Sequence, residues 1–304
     1  MARGVRSTAS LAVICLLAGA CGRQSPPPHR RTIHRISNAV SIALSTLGDS
    51  VYILDPETGR TQRTIRGLDG PQAGYADWAP DHRRLAFGND SVVILDIPTN
   101  RRRVLAQGPL VSMPTWSPGG TRIAYGDGRD LWITPTARLN AAYMKLPLTL
   151  APEAMAWGPA GLVAFQGVRL RCQIPYGCSS TNRSDIWTVR PDGSDLRRLT
   201  RLGQAGLPKW SPDGSRLLFI TRDRAHGRRV GELWSIGAGG TGLFRVLRAA
   251  NVVAADWSPD GSRLAVVRTA GTNSSVRLWI GSADGSNLHP IGPPVAGTAA
   301  TVDW

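Results

Sequence analysis

Lysine is nearly missing from this chain of 304 residues: of 36 basic side chains only Lys145 and Lys209 are lysines, and the rest are arginine. Glutamate is almost as scarce, at Glu57, Glu153 and Glu232. Charged residues make up 19%, too few for wholesale disorder. The one long apolar run is at the N-terminus, which excludes a multi-span helical membrane protein. Gly-x-Ser-x-Gly, a P-loop, His-Glu-x-x-His and an EF-hand loop are all absent, and with them the usual sequence signatures of serine hydrolases, nucleotide hydrolases, zinc proteases and calcium sensors. No Cys-x-x-Cys occurs and no histidine lies near a cysteine, so a zinc pattern is missing as well. A paired-carboxylate acid–base site is not visible.

What is present favours a large, turn-rich β structure. Glycine (34) and proline (22) are plentiful, and 42% of residues are hydrophobic, enough for a real core. The formal net charge of +15 raises the question of a nucleic-acid partner. The arginines are scattered, however, with short runs only at Arg101–Arg103 and Arg228–Arg229, and they read as a solvated surface.

The N-terminus reads as an address. Arg3 and Arg6 precede the apolar stretch Leu11 to Leu17, and Ala18-Gly19-Ala20-Cys21 follows. Residues 1–20 are therefore expected to be a signal peptide. The last four residues resemble the lipobox of bacterial lipoproteins, with Ala18 where leucine is usual, and this resemblance implies acylation of Cys21. Ordinary cleavage after Ala20, leaving a secreted soluble chain, is the alternative. Residues 21–36, with Pro26-Pro27-Pro28 and four arginines, read as an extended tether. In an exported chain, Cys172 and Cys178 are expected to form a disulfide closing a short loop.

Internal repetition organises the remainder. Trp210-Ser-Pro-Asp-Gly-Ser-Arg-Leu217 recurs as Trp257-Ser-Pro-Asp-Gly-Ser-Arg-Leu264, with weaker copies starting at Trp78, Trp116 and Trp157 and a last tryptophan at Trp304. Successive steps are 38, 41, 53, 47 and 47 residues, near the ~40–50 of a four-stranded propeller blade. In Ser-Pro-Asp-Gly, proline presets φ, aspartate suits the next turn position, and glycine takes the left-handed geometry that closes a hairpin. Each turn is preceded by a strand ending in Trp and followed by an apolar strand, then by a third strand such as Leu131-Trp132-Ile133 or Leu278-Trp279-Ile280. The ten tryptophans, six ending first strands and four in third strands, are assigned to core packing.

These repeats resemble the β-propeller repeat of the TolB family over about residues 37–304. The resemblance implies an all-β, six-bladed propeller of four-stranded antiparallel blades, without the α/β domain that precedes the propeller in TolB itself. The first repeat begins at its second strand, Ser41–Ser45, so Thr301-Val302-Asp303-Trp304 is expected to supply the missing inner strand of blade 1.

Alternating strand directions would put the Ser-Pro-Asp-Gly and Asp-Gly turns on one face of the disc and the longest insertions (167–185, 222–229 and 268–275) on the other. Long loops on a rigid scaffold are where binding concentrates. The binding-face candidates are Arg169, Arg171, Tyr176, Arg183, Arg222, Arg224, His226, Arg228 and Arg229. The functional expectation is a non-enzymatic, lipid-anchored, monomeric envelope propeller facing the periplasm or cell exterior. It would have no catalytic residues, cofactor or metal, would bind an envelope protein or an anionic envelope polymer, and would not bind nucleic acid. The competing expectation is a metal-dependent lyase or hydrolase acting on a sugar or lactone at the channel mouth, using His82, His226 or His289 with nearby aspartates.

Overall fold

The computed structural model describes residues 41–46, 50–66, 75–137, 142–144, 149–173, 177–223, 230–248, 251–270, 275–297 and 299–304. The chain divides into two units, Met1–Ser37 and Asn38–Trp304, and every described residue lies in the second. The signal peptide, the tether and Cys21 fall outside the described residues, as do Tyr176, Arg224, His226, Arg228 and Arg229.

Six antiparallel blades make up the propeller. Blade 1 consists of β1 (Ile42–Thr46), β2 (Val51–Leu54), β3 (Thr61–Ile65) and the C-terminal β23 (Ala299–Asp303). Blade 2 is β4 (Asp77–Trp78), β5 (Arg84–Phe87), β6 (Asn89–Asp96) and the first half of β7 (Arg102–Trp116). β7 continues inward without a break to become the inner strand of blade 3, followed by β8 (Arg122–Gly126), β9 (Leu131–Pro135) and β10 (Ala142–Met144). Blade 4 is β11 (Leu150–Trp157), β12 (Val163–Gln173), β13 (Gly177–Val189) and β14 (Arg197–Arg198). Blade 5 is β15 (Ala205–Trp210), β16 (Arg216–Asp223), β17 (Val230–Gly237) and β18 (Phe244–Leu247). Blade 6 is β19 (Val252–Trp257), β20 (Arg263–Thr269), β21 (Ser275–Ser282) and β22 (His289–Ala296).

The core is divided among the seams between blades, and one repeat tryptophan belongs to each seam. Trp78 packs with Val51, Ile53 and Leu85 between blades 1 and 2, and Trp116 with Ile94 and Ile123 between blades 2 and 3. Trp157, Trp210, Trp257 and Trp304 do the same at the four remaining seams, the last closing blade 6 onto blade 1. Burying an indole removes ~150–250 Å² from water, roughly 4–6 kcal/mol gross at ~25 cal/mol/Å². As expected, β23 pairs with β1, setting Ala43 opposite Asp303 and Leu44 opposite Val302.

The repeat arginine also has a structural post. Six residues after its own tryptophan, it lies over the tryptophan of the following blade in three repeats, Arg84 over Trp116, Arg122 over Trp157 and Arg263 over Trp304, each guanidinium carbon within 5.0 Å of the ring centroid, whereas Arg216 lies over Phe244. Part of the arginine excess that reads from sequence as solvated surface thus caps the seams by cation–π stacking, which is worth ~0.5–1 kcal/mol or more per contact. In the turns, Ser211 and Ser258 Oγ accept the N–H of Arg216 and Arg263, and Asp213 and Asp260 accept that of the following serine. Gly214 and Gly261 take φ near +70°, the left-handed region that glycine enters without Cβ strain. His82 occupies the same turn position in blade 2 at φ +48°.

One expectation changes. Residues 167–173 and 177–185 are not loop but continue β12 and β13, paired so that Leu170 faces Ser180 and Cys172 faces Cys178. Cross-strand pairing and the Cys172–Cys178 disulfide hold this polar segment in register where no core does.

Candidate functional site: the charged channel

Inner strands line the central channel, and their pleat sends alternate side chains to opposite sides. The repeat tryptophan turns into a seam, so the residue before it turns toward the channel. Around the ring these residues are Asp303, Asp77, Thr115, Ala156, Lys209 and Asp256 for blades 1 to 6. Three carboxylates converge on one ammonium: Lys209 Nζ lies 3.0 Å from Asp256 Oδ2 and 3.8 Å from Asp77 Oδ1, and it donates to Asp303 Oδ1. The four side chains are only 10–17% exposed.

The same carboxylates tie neighbouring blades together. Asp303 accepts the backbone N–H of Trp78, and Asp77 Oδ2 accepts that of Trp116 at 2.7 Å. Thr115 Oγ1 accepts the N–H of Trp157 at 3.2 Å, and Asp256 Oδ2 that of Trp304 at 3.3 Å. Ala156 has no acceptor and the lysine ammonium is only a donor, so the ladder lapses after blades 4 and 5. Asp256 Oδ1 receives the N–H of Trp257 within its own blade instead, at 2.7 Å.

Charge is unbalanced here, and protonation answers it. Burial raises Asp77 to about 8, reinforced by the negative charge of Asp303 and opposed by Lys209. Burial likewise raises Asp256 to about 7, against the pull of Lys209. Burial works against the charge of Lys209, but Asp256, Asp303 and Asp77 outweigh it and hold its pKa above the ordinary lysine value. Near neutral pH the cluster therefore retains protons on its carboxyls and stays close to electrical balance.

Toward the long-loop face the channel opens into a mouth lined by Tyr75, Met113, Met155 and Leu207, around a cavity of about 30 Å³, room for a water or two. Met113 and Leu207, each three residues before a repeat tryptophan, sit at φ +57° and +54° beside β-bulges. Non-glycine residues in this region are uncommon, and such strain gathers at ligand clamps and active sites.

The sequence candidates are distributed differently. Arg169 and Arg171 on β12 and Arg183 on β13 are exposed and line one groove of blade 4, and Arg222 lies on β16 opposite Gly231. The suggested metal ligands are not gathered: His82 is exposed in a blade 2 turn, and His289 is exposed on an outer strand of blade 6. The channel quartet escaped the sequence reading entirely. Its signal was the residue before each repeat tryptophan, which runs Asp, Thr, Ala, Lys, Asp, Asp.

No protein-family model matches the chain. The Tol-Pal system protein TolB of Nitratidesulfovibrio vulgaris is 47% identical over 51 residues, a match spanning 16% of this chain and 12% of that protein. The crystal structure of TolB from Acinetobacter baumannii superposes with a TM-score of 0.68 at 15% identity, over 88% of this chain and 67% of that one. A putative TolB from Agrobacterium tumefaciens does so with a TM-score of 0.61 at 19% identity, over 86% and 92%. Enzymes share the architecture at greater distance, among them an oligogalacturonate lyase in complex with manganese, with a TM-score of 0.53 at 17% identity over 83% of this chain and 73% of that one. By fold, the chain is a TolB-like six-bladed β-propeller.

Proposed function

We propose that this chain is an exported, lipid-anchored envelope propeller that acts as a protein-binding scaffold, its partner an envelope protein docking on the long-loop face over the channel mouth. The observation that carries this reading is the mouth itself. Strained, partly apolar residues surround it, and a nearly buried ion cluster lies beneath it, so the channel forms a shallow receptacle and not a conduit. The partial likeness to a Tol-Pal system component supports an envelope setting, as does the signal-like segment ending at Cys21.

The alternative of a lyase or hydrolase draws on enzyme relatives of the same architecture. The quartet offers it little: Lys209 already stands among the carboxylates where a metal cation would sit.

A photo-crosslinking residue placed at Leu207, on the mouth, is expected to capture a discrete envelope protein in intact cells. The same residue at Ser215, in the opposite turn face, should capture none. Equal capture at both positions, or none at the mouth, overturns the face assignment. Separately, Cys21→Ser is expected to move the protein from the membrane to the soluble fraction, and retention in the membrane fraction would refute acylation.

A further inference from the structure

Four third-strand tryptophans repeat around the ring, and one differs from the rest. Trp132 donates its indole N–H to Asp127 at 2.7 Å and stacks on Tyr125. Trp234 donates to Glu232 and lies beneath Arg245, and Trp279 lies beneath Arg268. Trp187 has neither an indole hydrogen bond nor a stacked partner among the described residues. Gly167 makes room for its ring: a Cβ there would lie 2.4 Å from the indole Cδ1. The half-buried ring packs against the core around Leu150 and Phe165 and also borders a groove of about 910 Å³, within the ~300–1,000 Å³ of small-ligand clefts.

Arg169, Arg171 and Arg183 line the same groove, and no carboxylate does among its described residues. Asp185, a buried acid that borders the adjoining cavity with Arg169 and Arg183, is engaged instead by Arg198, Thr200 and the N–H groups of Leu202 and Gly203. The three groove arginines therefore lack an acidic partner among the described residues, while the hydroxyls of Thr149 and Ser179 stand beside them. The Cys172–Cys178 disulfide braces the hairpin that carries all three arginines, which lowers the ordering cost of binding.

We infer that this groove binds an anionic glycan, a sugar bearing carboxylate or phosphate groups. The indole face takes the apolar face of a pyranose ring, guanidinium forks take the acid groups, and hydroxyls take the sugar hydroxyls. Apolar lining beyond Trp187 is confined to Leu150 and Leu170, too little to anchor a peptide. Placing a glycan here, and not a nucleic acid, rests on the reading of the chain as exported. The site is separate from the channel mouth.

Calorimetric titration of the full chain would use a mannuronate hexamer, a phosphorylated oligosaccharide of similar length, neutral maltohexaose, polyglutamate and single-stranded DNA. At least one anionic sugar is expected to bind, and more tightly than the other three probes; the tighter anionic sugar identifies the acid group. The pair Arg169→Ala and Arg183→Ala should weaken it at least tenfold with an unchanged melting temperature, and Trp187→Phe should weaken it severalfold. A shift of the Trp187 indole resonance on titration of the parent reports the same contact without any variant. Binding unaffected by the arginine pair, or equal binding of maltohexaose, polyglutamate or DNA, overturns the inference. Crosslinking at Leu207 does not depend on this groove, so either result can fail alone.

Discussion

A chain ending at residue 298 is expected to show no cooperative unfolding transition, because it lacks the strand that closes the ring. Without β23, the backbone of β1 loses its pairing from Ala43 to Thr46 and blade 1 acquires an open inner edge. Val302 and Trp304, 1% and 7% exposed, leave the seam between blades 6 and 1 and uncover Ile42, Leu44 and Ala254. Truncating a buried tryptophan alone costs about 3–5 kcal/mol. The truncation also removes Asp303, which accepts the N–H of Trp78 and pairs with Lys209, so the damage reaches the seam with blade 2 and the channel. Against a total of ~5–15 kcal/mol for a typical domain, these losses leave nothing to hold the ring. Calorimetry and near-ultraviolet circular dichroism would check it. A truncated chain that melts like the parent would mean that blade 1 stands without its C-terminal strand.

The sequence made the seams legible and hid the channel, for a physical reason. Each tryptophan packs against the blade beside it, so its spacing alone counts the blades, and the turn chemistry of Ser-Pro-Asp-Gly is local. The channel depends on closure. Asp77, Lys209, Asp256 and Asp303 meet because blades 2, 5, 6 and 1 come round to one axis, and no local pattern marks a lysine as the partner of an aspartate on a distant blade. The paired strands of blade 4 are hidden from the sequence for a related reason. Strand pairing usually announces itself through an apolar face, yet residues 169–173 and 177–184 are mostly polar and are held by cross-strand hydrogen bonds and one disulfide. Arginine 84, 122 and 263 look like surface charge until the next blade's indole is placed beneath them.

Lys209→Met is expected to destabilise the propeller at alkaline pH and much less in mild acid. Removing one partner of a buried ionic group costs about 3–5 kcal/mol, and here it leaves three carboxylates facing one another across the channel. At ~2–4 °C per kcal/mol for a chain of this size, the melting temperature at about pH 9 should fall by roughly 6–20 °C. In the parent, Asp77 and Asp256 are raised from 3.8 to about 8 and about 7. Folding therefore binds protons at these sites, and the stability they confer is complete below about pH 4 and drains away as pH rises through 7 to 8. The exposed turn aspartates Asp213 and Asp260, lowered to about 2 by hydrogen bonds from their flanking serines, act in the opposite sense, and their contribution is lost as pH falls below 3.8. As far as these four groups decide it, parent stability should consequently be greatest near pH 4, where both contributions are complete. Without Lys209 the opposing pull on both channel carboxyls disappears and their pKa values climb further, so the gap between variant and parent widens with pH. Near pH 5, where Asp77 and Asp256 hold protons, the parent's own ammonium has fewer charged partners and the gap narrows. Adding Asp77→Asn to the variant removes one of the repelling carboxylates and should recover part of the alkaline loss. Melting curves of the three proteins from about pH 5 to pH 9 decide the matter. A variant whose curve runs parallel to that of the parent would show that the quartet exerts no charge coupling on the ring.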